Sequence, residues 1–325
     1  MAGILKETAS VKDYWLEPDS RTVEPRTLSV TTLSGKVQGS VGYSEGAGLE
    51  LKFTATSHKG ILVDFGKEVG GYPRLTFGTG GCGRVGAQAV ESISHLQNAL
   101  VAEVSSLADP VIYCHHFKAR EGVRVEMPHC GGFRYLWIYP VLPGRVTLAD
   151  VAVSYTPHVA DPGSSGYFLS SDDRLNRAWY AGLHTVQMCT IDPALGGADS
   201  RHRIGRSDWV IVDGARRDRL VWTADLAPAG AAVYTSFNES GAIRDSLLSL
   251  SRFQEKSGYI PACSPGPIPA RVASGFFGDY VAWWVVVIYQ YFMHTGDIDL
   301  VRELFPVIKR ALAYLHGQTR GGLFR

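Results

Sequence analysis

An excess of charge of either sign is what this chain most plainly lacks: 32 lysines and arginines stand against 31 aspartates and glutamates, with no long run of one kind. That removes the electrostatic basis for a nucleic-acid or anionic-membrane partner, since both require a concentrated basic surface. The five cysteines, Cys82, Cys114, Cys130, Cys189 and Cys263, are odd in number and include no CxxC pair. Such usage fits reduced, mostly buried thiols rather than a disulfide framework. The longest apolar run, Tyr280 to Met293, contains Gln290 and several tyrosines and is too short for a bilayer span, so it is expected to be a buried helix. The first ten residues lack the uninterrupted apolar core of a secretory signal. The expectation is an intracellular protein, with export open only if the N-terminus is incomplete. Neither GxSxG nor HExxH occurs, which takes away the commonest hydrolase and metalloprotease signatures.

What is present is apolar mass enough for two domains: 325 residues, 45% hydrophobic and 11% aromatic. The hydrophobic period changes once. From about 20 to 155, short β-rich runs are separated by Gly, Pro, Ser and Asp clusters: Leu28 to Leu33, Leu49 to Thr56, Gly60 to Phe65, Tyr72 to Phe77, Val123 to Met127, Phe133 to Val141 and Val151 to Tyr155. This pattern predicts an antiparallel β-sandwich. Ala87 to Ala102 fits helix or strand equally. After Pro157 to Gly166 the period becomes helical. Ser171 is expected to cap a helix with Leu175, Ala178, Trp179, Leu183 and Val186 on one face. Further helices are expected from Leu226, over Ala242 to Phe253, over Asp279 to His294, and over Asp299 to Leu315, the last kinked at Pro306. The helix Asp279 to His294 is apolar nearly all round, which belongs deep inside a layered helical domain. The boundary is placed near residue 160, giving domains 1–160 and 161–325.

The densest chemistry lies at Asp213-Gly-Ala-Arg-Arg217-Asp218-Arg219-Leu-Val-Trp222-Thr-Ala-Asp225: three carboxylates, three arginines and one tryptophan in a connection leading into a helix. Carboxylates and guanidinium groups interleaved with an indole are what a sugar-cleaving pocket needs. The acids protonate a leaving oxygen, fixed donors and acceptors take the hydroxyls, and a flat apolar face receives the ring. A purely structural ion-pair network at a helix start is the alternative, with Asp225 no more than an N-cap.

Other constellations carry less. Gly78-Thr-Gly80-Gly-Cys-Gly83 matches GxGxxG, but its neighbourhood is all β and a dinucleotide site needs a helix directly after the third glycine, so a glycine-rich hairpin is expected. Cys114-His115-His116 and His129-Cys130 do not make a zinc shell, because adjacent strand residues point to opposite faces. No metal and no cofactor is expected. His202, between two arginines, reads as a solvated loop residue. Trp283 and Trp284 are expected to be core by default. Asp279 and Trp283, at the start of the apolar helix, also stand where a helical barrel places substrate contacts, so both are secondary candidates.

The central run resembles the signature of the α-L-rhamnosidases of glycoside hydrolase family 78, the fungal-type branch in particular. Val63-Asp-Phe-Gly-Lys-Glu-Val-Gly-Gly-Tyr-Pro-Arg-Leu75 and Gly132-Phe-Arg-Tyr-Leu136 are similar to strands of that family's accessory sandwich. Ser171-Asp-Asp-Arg-Leu-Asn-Arg-Ala-Trp179 and Asp279-Tyr-Val-Ala-Trp-Trp284 resemble parts of its helical domain. The resemblance implies an accessory β-sandwich followed by part of an (α/α)6 six-hairpin barrel, and inverting hydrolysis of terminal α-L-rhamnosyl residues. It implies a rhamnose-containing glycoside as partner, and leaves the oligomeric state open. It places Asp213, Arg217, Trp222 and Asp225 in the rhamnose pocket and Asp218 at the general acid, where many members carry the longer glutamate. The family's general base is a glutamate on a later helix, beyond Arg325, so the chain is expected to be the N-terminal portion of such an enzyme. A non-catalytic rhamnose- or glycan-binding protein is the alternative.

Overall fold

The structure, a computed structural model, describes residues 22–23, 27–32, 37–41, 49–53, 59–78, 82–93, 113–159, 166–195, 209–237, 239–264, 277–321 and 323–324. The chain divides into two units. One takes in Ser20–Thr156 together with Ala215–Arg217, the other Pro157–Gly214 and Asp218–Arg325.

The first unit is built of strands β1 (Thr22–Val23), β2 (Thr27–Thr32), β3 (Val37–Val41), β4 (Leu49–Phe53), β5 (Lys59–Phe77), β6 (Cys82–Val90), β7 (Cys114–Arg120), β8 (Arg124–Glu126) and β9 (Cys130–Tyr155). Their order is β3-β2-β5-β9-β6-β7, with β1 and β4 also on β9 and β8 on β5. Two expected strands, Gly60 to Phe65 and Tyr72 to Phe77, are one long strand with glycines at its bends. Ile61 to Asp64 lie opposite Ile138 to Tyr135, then Tyr72 to Thr76 lie opposite Ser154 to Asp150. In both stretches the partner number falls as β5 advances, so the strands run in opposite directions. Gly66 and Gly71 have positive φ, 77° and 142°, and a Cβ on Gly71 would collide with the Ser154 carbonyl oxygen. Only glycine allows this bend.

Ile61, Val63, Phe65, Leu75 and Phe77 of β5 are buried, as are Phe133, Leu136 and Ile138 of β9. Phe65 and Phe133 pack edge to face at 5.8 Å. Part of the ambiguous stretch, Ala87 to Val90, is strand, because it pairs with β7 on one side and β9 on the other. The part beyond residue 93 lies outside the described residues. The Gly78 to Gly83 segment does not close a hairpin: β9 stands between β5 and β6. This strand, with Phe133, Leu136, Trp137 and Ile138 all buried, takes the sheet centre, where apolar side chains are covered on both sides. After Gly83 the chain continues as strand β6 rather than helix.

The second unit holds α1 (Asp173–Cys189), α2 (Leu226–Ser236), α3 (Ser240–Ser251), α4 (Gly278–Thr295) and α5 (Ile298–Gln318). Two short ribbons join them, β10 (Thr190–Ile191) with β11 (Val210–Ile211), and β12 (Val221–Trp222) with β13 (Cys263–Ser264). Three expectations are corrected. The α1 cap is Asp172, whose side chain accepts from the Arg174 amide, not Ser171. Its buried face runs Asn176, Tyr180, Leu183, Gln187, while Leu175 and Ala178 are exposed. The physical reason is Asn176: its side-chain amide is satisfied by both the N–H and the carbonyl of Ser170, so a polar side chain is buried without cost and the face rotates by one residue. Third, α4 is not covered all round among the described residues. Val281, Trp284, Val287, Ile288 and Tyr291 are buried, but Trp283, Val286, Tyr289 and Met293 are exposed. Helix α4 ends at Gly296 in the left-handed region (φ 67°). Pro306 lies within α5, which turns Leu300, Leu304 and Ala311 inward.

Candidate active site

The carboxylate-rich run folds as a loop between β11 and β12, closed at its neck by Asp213. The Asp213 amide donates to the Leu220 carbonyl (2.9 Å), and its Oδ1 accepts from the Leu220 amide (3.0 Å). Within the loop, Ala215–Arg217 belong to the β unit. There the Gly132 amide donates to the Ala215 carbonyl (2.7 Å) and the Tyr113 hydroxyl to the Arg216 carbonyl (2.9 Å). The buried Arg216 guanidinium donates to the carbonyls of Gly132 (3.1 Å) and Ala89 (3.3 Å), lies over the Tyr113 ring and stands 3.8 Å from the Glu91 carboxylate. Next come Asp218 and Arg219, the two described non-glycine residues with positive φ, 56° and 54°. Arg219 is also buried and donates from Nε (3.2 Å) and Nη2 (2.8 Å) to the Leu195 carbonyl.

Past the loop, Trp222 sits on β12 opposite Cys263 and is 9% exposed. Its ring meets Phe277 and Tyr280 edge-on, at 6.2 and 5.8 Å, and its Nε1 is buried without a hydrogen-bond partner. An indole N–H in that state is a donor held in reserve. Asp225 precedes α2 but makes no side-chain cap hydrogen bond, so capping does not occupy its carboxylate.

The electrostatics gather these groups. Burial pushes Asp213 up to about 7, opposed by the Leu220 amide and assisted by the negative charges of Asp218 and Asp225. Asp225, exposed as a residue, is also raised, by partial desolvation of its carboxyl. Burial lifts the Cys263 thiol to about 12, with Asp213 and Asp218 adding to it. The Tyr280 hydroxyl is raised by burial and then by Asp225, Asp279, Cys263 and Asp213. Four of the sequence-derived residues, Asp213, Asp218, Asp225 and Asp279, thus share one field with Tyr280 and Cys263, and Trp222 touches Tyr280. Arg217 is exposed and falls with the β unit. Trp283 is 41% exposed, one turn beyond Asp279, while its neighbour Trp284 is fully buried and donates to the Leu247 carbonyl (3.3 Å).

Sequence reasoning missed Tyr280, Phe277 and Cys263. Tyr280 stood next to Asp279 and could have been read with it. Nothing in the order of residues ties Phe277 or Cys263 to the loop, because a strand pairing and a helix start bring them there. Among the described residues no cluster of His, Cys, Asp and Glu forms a metal site, and no helix is long and apolar enough to cross a membrane.

Residues 207–324 match the family model of the bacterial alpha-L-rhamnosidase 6 hairpin glycosidase domain. The stretch that carries this loop is therefore similar to a six-hairpin glycosidase domain, in line with the resemblance to the α-L-rhamnosidases seen in the sequence. Solved structures agree at the level of fold. A rhamnosidase from Klebsiella oxytoca with rhamnose bound is 19% identical, with a TM-score of 0.69 over 94% of this chain and 58% of its own. A family 78 rhamnosidase of Bacillus sp. GL1 is 17% identical, with a TM-score of 0.65 over 84% of this chain and 26% of its own. A Streptomyces avermitilis alpha-L-rhamnosidase complexed with L-rhamnose is 17% identical, with a TM-score of 0.54 over 94% of this chain and 25% of its own. The chain spans less than two thirds of the length of each. No curated protein matches the chain.

Proposed function

We propose that this protein is a glycoside hydrolase that releases terminal α-L-rhamnosyl residues from glycosides or glycans, with inversion at the anomeric carbon. We read its β unit as an accessory sandwich and its helical unit as part of an (α/α)6 barrel. The bends at Gly66 and Gly71, which let one strand pair in two separate stretches, support the sandwich.

The observation that carries the reading is that the charges of Asp218 and Asp225 bear on Asp213, and those of Asp213, Asp225 and Asp279 on Tyr280, beside an indole with an unused donor. Like charges crowd together at a cost unless the site uses them, and glycosidic cleavage uses a proton donor and several hydroxyl ligands. Asp218 is the general acid that protonates the leaving oxygen. Asp213, divided between acid and carboxylate near neutral pH, donates to or accepts from a sugar hydroxyl. Trp222 offers its Nε1–H and ring edge, and Asp225 and Asp279 supply the remaining polar contacts. The family likeness of residues 207–324 and the rhamnose-bound relatives support rhamnose as the sugar.

The test is to incubate the full-length protein with an aryl and an alkyl α-L-rhamnoside and follow the first-formed sugar by NMR. Release of β-L-rhamnose is the expected result. The α-anomer as first product overturns inversion, and rhamnose binding without release favours the non-catalytic reading.

A further inference from the structure

We infer that Arg216 and Arg219 are positioning residues that clamp the loop on either side of Asp218 in its left-handed backbone conformation. The inference rests on the role given above to Asp218. Of the motif's arginines, Arg217 is exposed, while Arg216 and Arg219 are 6% and 8% exposed. Both direct their guanidinium groups to main-chain carbonyls. Arg216 reaches those of Ala89 and Gly132, and Arg219 places two donors on that of Leu195. An arginine fork suits this use: it is planar, permanently charged and donates in fixed directions.

The loop has reason to need such anchors. Side chains other than glycine seldom adopt positive φ, and two in succession persist only where the surroundings hold them. Here Asp218 and Arg219 do so together. At the Arg216 end the surface is shaped for the loop: a Cβ on Gly131 would strike the Ala215 carbonyl oxygen, and one on Gly132 would strike the Glu68 carboxylate and crowd the Ala215 side chain. The Gly132 amide and Tyr113 hydroxyl hold the Ala215 and Arg216 carbonyls from that surface. At the Arg219 end the Leu195 carbonyl takes the load. Releasing either arginine lets the backbone relax toward ordinary φ, which turns the Asp218 carboxyl away from where the leaving oxygen must be protonated.

The experiment compares Arg216→Met, Arg219→Met and the corresponding lysine variants with wild type in the full-length protein. Amide hydrogen exchange over residues 213–220 is measured alongside kcat and KM on alkyl and aryl rhamnosides. The expected result is faster exchange in that segment for each methionine variant. It comes with a kcat loss of about 10²-fold on alkyl rhamnosides, a smaller loss on aryl rhamnosides, and little change in KM. Lysine should restore part of the loss, because it keeps the charge without the fork. Unchanged exchange at 213–220 overturns the inference whether or not the protein turns over rhamnosides. Equal losses on both substrate types also overturn it, because they mean that Asp218 was not what the arginines held. If a methionine variant does not fold, its lysine counterpart decides by the same exchange and substrate comparison. A wild type without turnover defeats the proposed function alone, and exchange still judges the clamp.

Discussion

Asp213→Asn should make the protein's stability less sensitive to pH, and by a predictable amount. Asparagine keeps an Oδ1 to accept from the Leu220 amide but cannot ionise. In the folded protein the Asp213 carboxyl titrates near 7, against an ordinary value of 3.8. The native state therefore binds a proton more tightly than the unfolded chain does. Below about pH 4 both states are protonated and Asp213 costs nothing. As pH rises from 4 to 7 the unfolded state gains from ionisation and the native state does not, so the wild type loses stability relative to the variant. Above 7 the difference is constant. At about 1.36 kcal/mol per pKa unit the full interval corresponds to about 4 kcal/mol. Partial solvent access around the half-buried side chain lowers the expected value to about 2–3 kcal/mol. Urea unfolding of both proteins across pH 4 to 8, monitored by a probe in the helical unit, measures it. The two stability curves should separate steadily up to pH 7 with the variant on top. Parallel curves, or a wild type that gains on the variant with pH, would refute the claim that desolvation and the charges of Asp218 and Asp225 hold Asp213 protonated.

Asp218→Asn should cost about 10²-fold or more in kcat on alkyl rhamnosides and far less on aryl rhamnosides whose leaving group needs no proton. Equal losses would remove Asp218 from the acid role. Trp222→Phe deletes an N–H that has no partner in the structure together with part of a buried ring, so stability should fall by about 1–2 kcal/mol and rhamnose affinity by about 1 kcal/mol, read by calorimetry. Unaltered affinity would place the indole donor outside the sugar site. Trp284→Ala should destabilise the helical unit by about 3–5 kcal/mol, because the ring is fully buried and its Nε1 donates to Leu247. The same change at the exposed Trp283 should cost under about 1 kcal/mol.

Hydrophobic period alone separated a strand-built half from a helical half, because side-chain direction repeats every second residue in one and every 3.6 in the other. It located α2, α3, α4 and α5. The run Asp213 to Asp225 stood out as a candidate site because no other part of the chain concentrates charge and indole so densely. Period could not say that the α1 face turns on Asn176, since that burial depends on two hydrogen bonds to Ser170. It could not divide Trp283 from Trp284, which are adjacent in sequence but about 100° apart on the helix. Nor could it place β9 between β5 and β6, a choice made by pairing between strands far apart in the chain. The three arginines of the motif are alike as letters. Only the tertiary structure buries Arg216 and Arg219 onto carbonyls of Ala89, Gly132 and Leu195, while Arg217 is exposed. It decides this because hydrogen-bond partners distant in sequence become neighbours only when the chain has folded.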